Sequence, residues 1–166
     1  MTELIAIDTF YNGYFFRSRT EARWAVFFDA LGWEYDYEFE AFKLPSGVYL
    51  PDFYFPKLNV WAEVKPGQLL EFELIRCKEL SFKMKSNDAG VDVLLLEGVP
   101  DLTSIRTIIN GDIGVNVIPV SIKEKQYPFY GSDEFNKNIY CLYETIEAVN
   151  KAKSARFEFE WKSKKI

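Results

Sequence analysis

Asp52, Glu63 and Lys65 lie in the stretch LPDFYFPKLNVWAEVKP, and their spacing brings them together. Pro56-Lys57-Leu58-Asn59 reads as a four-residue hairpin loop, so that Phe55 faces Val60. Counting outward sets Asp52 opposite Glu63, and directly opposed residues in an antiparallel pair have Cβ atoms about 4.5–5.5 Å apart. Lys65, two residues beyond Glu63, shares their face. Phe53, Phe55, Val60, Ala62 and Val64 make the other face apolar, and this holds the register, because a slip of one residue would bury the charges. Two carboxylates ~5 Å apart repel by roughly 3 kcal/mol at an effective dielectric near 20. Unless one of them is protonated, positive charge belongs between them. Lys65 alone would give an ordinary ion-pair cluster. A divalent cation does it better, since Mg²⁺ is commonly held by one or two carboxylates together with waters and substrate phosphates.

A third acid points the same way. The run SRTEARWAVFFDAL (18–31) is predicted to be a helix, with Ser18 and Glu21 in capping-box spacing and Gly32 as its stop. On a helical wheel Glu21 falls with Ala25 and Phe28 on the inward flank, away from Arg23. Glu21 either closes the cap with Ser18 or turns its carboxylate toward Asp52 and Glu63. The alternation WEYDYEFEAF (33–42) predicts a half-exposed strand, and VYLPDFYF (48–55) and VWAEVK (60–65) predict two more, with Pro45-Ser46-Gly47 as a turn. Leu69 to about Lys85 has helical spacing with Leu70, Leu74, Cys77 and Phe82 inward. VDVLLLEG (91–98) reads as a strand buried on both faces. Asn110-Gly111 predicts a hairpin, VNVIPVSI (115–122) a strand, 133–153 a helix, and RFEFEWKSKK (156–165) an edge strand. The order is that of a mixed α/β domain with a central sheet.

Composition narrows the chemistry. At 166 residues, with no repeat and no Gly/Ser linker, the chain is expected to form one domain over 1–166. The 48% hydrophobic and 17% aromatic content excludes wholesale disorder. No apolar run approaches the ~20 residues of a membrane span and the N-terminus lacks a signal-peptide pattern. A cytoplasmic protein with Cys77 and Cys141 as free thiols is therefore expected. The chain has no histidine, which removes Ser-His and Cys-His nucleophilic catalysis and His-ligated zinc, and two cysteines cannot build a four-thiolate zinc site. Carboxylates, lysines and a hard cation are what remain.

These residues resemble the PD-(D/E)xK nuclease superfamily, the fold shared by many restriction endonucleases. Pro51-Asp52 looks like its PD element, Glu63-Val64-Lys65 like its (D/E)xK element, and Glu21 like the acid that many members carry on the first core helix. The resemblance covers about 18–98 and implies a restriction-endonuclease-like core of helix, three-stranded antiparallel meander, helix and strand in a central mixed sheet. Residues 99–166 would be a variable extension with a helix and an edge strand. The spacings look like those of small phage and archaeal junction-resolving nucleases, and equally of transposon-end nucleases, so a phage or mobile-element endonuclease in a bacterial or phage-infected cell is implied. The implied activity is metal-dependent hydrolysis of DNA phosphodiesters, on branched or otherwise structured DNA among the options. Asp52, Glu63 and the carbonyl of Val64 would hold Mg²⁺, with Mn²⁺ as a substitute, and Glu21 would complete the site directly or through water. Lys65 would orient or help deprotonate the attacking water.

The charge departs from a free-standing duplex binder. The net charge is −5, split as −4 over 1–60, −5 over 61–150 and +4 over 151–166. A basic face would favour a phosphate backbone through counterion release. Arg17 and Arg19 near the first helix, Gln68 beside Lys65, and Lys78 with Lys85 on the second helix are the candidate nucleic-acid contacts, each of which would otherwise be solvated surface. Lys162, Lys164 and Lys165 are a further basic group in the tail. A protein partner that supplies DNA contacts and a homodimer that cuts both strands are further expectations. Two other readings compete with the nuclease. One is a non-cleaving adaptor or inhibitor of a mobile element that keeps the fold; the other is an α/β protein whose acids form a surface ion-pair cluster.

Overall fold

The computed structural model describes residues 7–84, 91–119, 129–131 and 139–157. The first described element is a hairpin of β1 (Thr9–Tyr11) and β2 (Tyr14–Phe16), joined by Asn12-Gly13. Both turn residues have positive φ, 47° and 86°, as a two-residue hairpin with the twist of its strands requires. Helix α1 (Arg19–Ala30) follows, and its ends match the sequence reading. The Ser18 hydroxyl accepts from the Glu21 amide at 3.2 Å. At the other end Gly32 N–H donates to Asp29 and Trp33 N–H to Phe28, with Gly32 at φ 72°, a left-handed stop favoured by its missing Cβ.

The alternating segment 33–42 is not one strand. Within it only β3 (Asp36–Tyr37) joins the main sheet, because Glu38 at φ +49° turns the chain away after its N–H reaches the Asp52 carbonyl. Next come β4 (Phe42–Leu44) and β5 (Gly47–Tyr49), which form a separate two-stranded sheet around the expected turn. The single strand predicted over 48–55 is therefore broken at Leu50-Pro51-Asp52, where proline offers no N–H to a ladder. β6 (Phe53–Phe55) and β7 (Val60–Lys65) then pair as predicted, Phe53 with Ala62, Tyr54 with Trp61 and Phe55 with Val60.

Helix α2 (Glu71–Met84) crosses over to β8 (Val93–Glu97), which lies parallel to β7 and is buried on both faces, as its unbroken apolar run predicts. Leu70 and Phe82 are 59% and 56% exposed, contrary to the inward placement expected of them; Leu80 and Ser81 join Cys77 inside instead. Leu70 precedes the helix, and Phe82 lies about 140° around the wheel from Cys77. Its ring covers Gly111, where an added Cβ would come within 2.2 Å. β9 (Ile105–Ile109) and β10 (Asp112–Pro119) are joined by Asn110-Gly111, again with both φ positive. β11 (Phe129–Gly131) and α3 (Ile139–Ser154) complete the order. The strand expected at 156–165 lies mostly outside the described residues, and Ala155–Phe157 are not strand.

The main sheet has the order β11-β10-β9-β8-β7-β6-β3, antiparallel except for β7–β8. This is an α/β fold with a mixed central sheet and, among the described residues, three helices. One face carries the aromatic core of Phe16, Trp24, Phe28, Trp33, Phe53 and Phe55 under α1 and α3. The other carries Phe42, Tyr49, Trp61, Cys77, Leu80 and Val93 under α2 and the β4–β5 hairpin. Buried Asp92 locks α2 down: it accepts from Ser81 Oγ at 2.7 Å and Asn110 N at 2.8 Å, while Gly111 N donates to Ser81 at 2.9 Å. Among the described residues no helix is long and apolar enough to cross a membrane.

Candidate functional site

β7 is covered on both sides, so its charged residues have only the end of the strand at which to meet solvent. Glu63 is 6% exposed, and Lys65 is the first residue to emerge. Gly98 N–H donates to the Lys65 carbonyl at 2.7 Å, and Glu97, paired with Lys65 across the sheet, takes Arg106 through both oxygens. The end of β7 is thus pinned before any side chain is considered.

Asp52 enters from the residue before β6. Its backbone N–H donates to Ala62 O at 3.1 Å, and its Oδ2 accepts from Val64 N–H at 2.7 Å. Val64 is therefore joined to Asp52 by its amide. Glu63 receives Lys65 Nζ on Oε1 at 3.0 Å and Tyr49 OH on Oε2 at 2.7 Å. Lys65 also meets Glu73 Oε1 at 3.0 Å, and Glu73 Oε2 accepts from Leu70 N–H at 2.8 Å, tying the site to the first turn of α2. Tyr49 OH lies 3.5 Å from the buried free thiol of Cys77.

Burial pushes the Asp52 carboxyl well above its usual range, and the charges of Glu63 and Glu21 push the same way against the Val64 amide and Lys65. Burial also raises Glu63, opposed by Lys65 and the Tyr49 hydroxyl. Burial draws the Lys65 ammonium down, but Glu63, Glu73 and Asp52 outweigh it, so Lys65 titrates above its ordinary value. The Cys77 thiol, buried and facing Glu63, is pushed up to about 12 and is no thiolate at neutral pH.

Glu21 is 9% exposed, as its wheel position predicts, and its charge acts on Asp52. Its oxygens are nonetheless taken by local donors: Ser18 Oγ on Oε1 at 2.8 Å, and Arg17 N–H and Tyr37 OH on Oε2. The capping alternative is the one its hydrogen bonds satisfy, while its charge still reaches Asp52. Glu21→Ala is expected to lower stability by about 1–2 kcal/mol, since three donors lose their acceptor. Thermal melts would show it, and a variant as stable as the parent would mean that these bonds are replaced by water.

The candidate nucleic-acid contacts sit on separate elements. Arg17 pairs with Glu38 at 2.7 Å, Arg19 is exposed in the first turn of α1, and Gln68 is exposed in the bend after β7. Lys78 is half-buried on α2, and Lys85 lies outside the described residues. Tyr49, Glu73 and Tyr37 are site residues that sequence reasoning missed. Glu73 carried a weak signal, as an acid three residues after Leu70 at a helix start; Tyr49 and Tyr37 carried none.

No protein-family model, curated protein or solved structure matches the chain. The donor set itself offers hard oxygen ligands: Asp52 keeps Oδ1 without a hydrogen bond among the described residues, beside a second carboxylate that repels it. Among those residues no three of His, Cys, Asp and Glu gather as ligands. Two carboxylates suffice for Mg²⁺, which keeps several waters, so the residues fit such an ion.

Proposed function

We propose that the chain is a metal-dependent DNA endonuclease with a restriction-endonuclease-like core. The observation that carries this reading is the meeting of two desolvated, mutually repelling carboxyls, Asp52 and Glu63, with Lys65 at one end of the sheet. The run of α1, the antiparallel β3, β6 and β7, then α2 and β8 supports the core, with the β4–β5 hairpin inserted between its first two strands. Asp52 and Glu63 would hold Mg²⁺ or Mn²⁺, with the Val64 carbonyl as a further ligand. When bound, the cation makes a water acidic enough to attack at neutral pH and offsets charge on the phosphate oxygens. Glu21 adds negative charge from α1 and keeps the entry of that helix rigid. Lys65, kept protonated by Glu63 and Glu73, serves as a cation that orients the attacking water and neutralises the phosphate; the base role is disfavoured. Arg17, Arg19 and the second helix would meet the DNA backbone, with a second copy or a protein partner compensating for the net charge of −5.

The test is cleavage of plasmid, linear, single-stranded and four-way-junction DNA with Mg²⁺, Mn²⁺ or EDTA. Metal-dependent cutting that is lost in Asp52→Ala and Lys65→Ala is the expected result. The acidic charge favours the second reading, a non-cleaving adaptor of a mobile element, and a folded protein that binds metal but cuts nothing would select it.

A further inference from the structure

We infer that the outward face of α2 is a dimerisation surface, covered by the same helix of a second copy running antiparallel. Phe72, Ile75 and Phe82 stay 53%, 44% and 56% exposed on this helix. With Glu79 they follow the three-four-three spacing of a coiled-coil seam, between about 140° and 220° around the wheel from buried Cys77. A surface helix whose only task is to cover its own sheet carries polar residues on that side. Glu79 does not break the stripe with a bare charge, because its Oε2 accepts from Ser46 N–H at 3.1 Å and Ser46 Oγ at 2.6 Å. Past Phe82 the apolar surface continues. The Phe82 ring rests on Gly111, and Ile113, 41% exposed, pairs with Ile108 and so shares the α2 face of the sheet.

The helix complements itself when reversed. Exposed Glu71 lies in its first turn and exposed Lys83 in its last. An antiparallel copy sets the acidic turn of each helix beside the basic turn of the other, and the helix dipoles then attract. Parallel pairing would set acid beside acid and base beside base. In the antiparallel arrangement Phe72 is level with Phe82 of the second copy, and Ile75 with the apolar stem of its Glu79, so aromatic rings close both ends of the contact. A two-fold contact of this kind is isologous and stops at two copies. The helix has 14 residues and is about 21 Å long, which makes a small interface and hence a weak, reversible dimer. Pairing leaves the strand-end site open. Glu73, which holds Lys65, lies about 40° from Cys77 on the inward flank, away from the seam.

Sedimentation of the whole chain across the micromolar range, without metal or DNA, is the test. A reversible monomer–dimer equilibrium is expected, and a single 19.4 kDa species throughout would overturn the inference. Phe72→Ala removes an exposed ring, so at high dilution it should melt with the parent. It should weaken the dimer by at least about 30-fold, because each substitution counts twice in a two-fold contact. A Phe72→Ala dimer as tight as the parent's would place the contact elsewhere and overturn the inference as well. Direction is read by oxidising a mixture of Phe72→Cys and Phe82→Cys chains, with the parent as the control for Cys77 and Cys141. Disulfides that join one variant to the other are expected. Disulfides confined to like chains, or none beyond those of the parent, would overturn the antiparallel pairing. The strand-end carboxylates take no part in these measurements, so the nuclease reading stands or falls separately.

Discussion

Asp52→Asn is expected to abolish cleavage and, at the same time, to make the metal-free protein more stable. The loss of activity should be at least about 10³-fold, because a ligand carboxylate is replaced by a neutral amide where charge must be offset in the transition state. The gain in stability follows from the surroundings of Asp52: burial, Glu63 and Glu21 all disfavour its charge. The asparagine oxygen can still accept from Val64 N–H, so the hydrogen bond survives while the repulsion is removed. Relief of roughly 1–3 kcal/mol is the scale set by two carboxylates at close range. That corresponds to about 2–10 °C for a domain of this size.

The same residue sets a pH dependence. In the unfolded chain Asp52 ionises near its ordinary value of 3.8, while in the folded protein it holds its proton to higher pH. Between the two values the native state binds the extra proton, so the stability it contributes is present below 3.8 and is lost as pH rises toward the raised native value. The parent should therefore lose stability across this window more steeply than Asp52→Asn. Mg²⁺ should stabilise the parent increasingly over the same range, since binding must expel that proton. Melting curves at pH 5 and pH 8, with and without Mg²⁺, test all of this. A metal-free Asp52→Asn protein that melts below the parent at pH 8 would show that the carboxylate is stabilised by its surroundings.

Lys65→Ala should cost as much activity as Asp52→Asn and change stability in the opposite direction. Its ammonium joins Glu63 and Glu73 at 3.0 Å each, and Glu63 has almost no access to water. Removing the cation leaves two acids facing one another, one of them buried. Breaking a buried pair from one side typically costs about 3–5 kcal/mol; with Lys65 partly exposed, roughly 2–4 kcal/mol is expected here. Adding Glu73→Gln should restore part of the stability by removing one of the two charges, without restoring cleavage. Melting curves and cleavage rates of the single and double variants separate these effects. A Lys65→Ala protein that cuts at the parental rate would eliminate Lys65 from the chemistry.

Much of the frame was legible from local pattern. The pairing of β6 with β7 followed from one loop length and one apolar face, and the residues observed opposite one another are those expected. Both ends of α1 were readable because capping is local chemistry, completed by residues within a turn or two. The Asn110-Gly111 turn and the doubly buried β8 were legible for the same reason.

Failures arose where a distant segment competed with local periodicity. The alternation over 33–42 persists on paper, but Glu38 turns out of the sheet once its N–H has met Asp52. The β4–β5 hairpin leaves the main ladder to cover Trp61, whose ring stacks on Tyr54 with centroids 4.3 Å apart and meets Phe42 edge-on. These aromatics pack on the α2 side of the sheet. By itself the sequence determined that Asp52, Glu63 and Lys65 share one end of a hairpin and that Glu21 turns inward, because periodicity and turn length act over a few residues. Only the tertiary structure decided that Tyr49 holds one oxygen of Glu63 and that Glu73 shares Lys65. Each of these bonds joins segments brought together by packing on α2, and a hydrogen bond between such segments leaves no periodic trace in either.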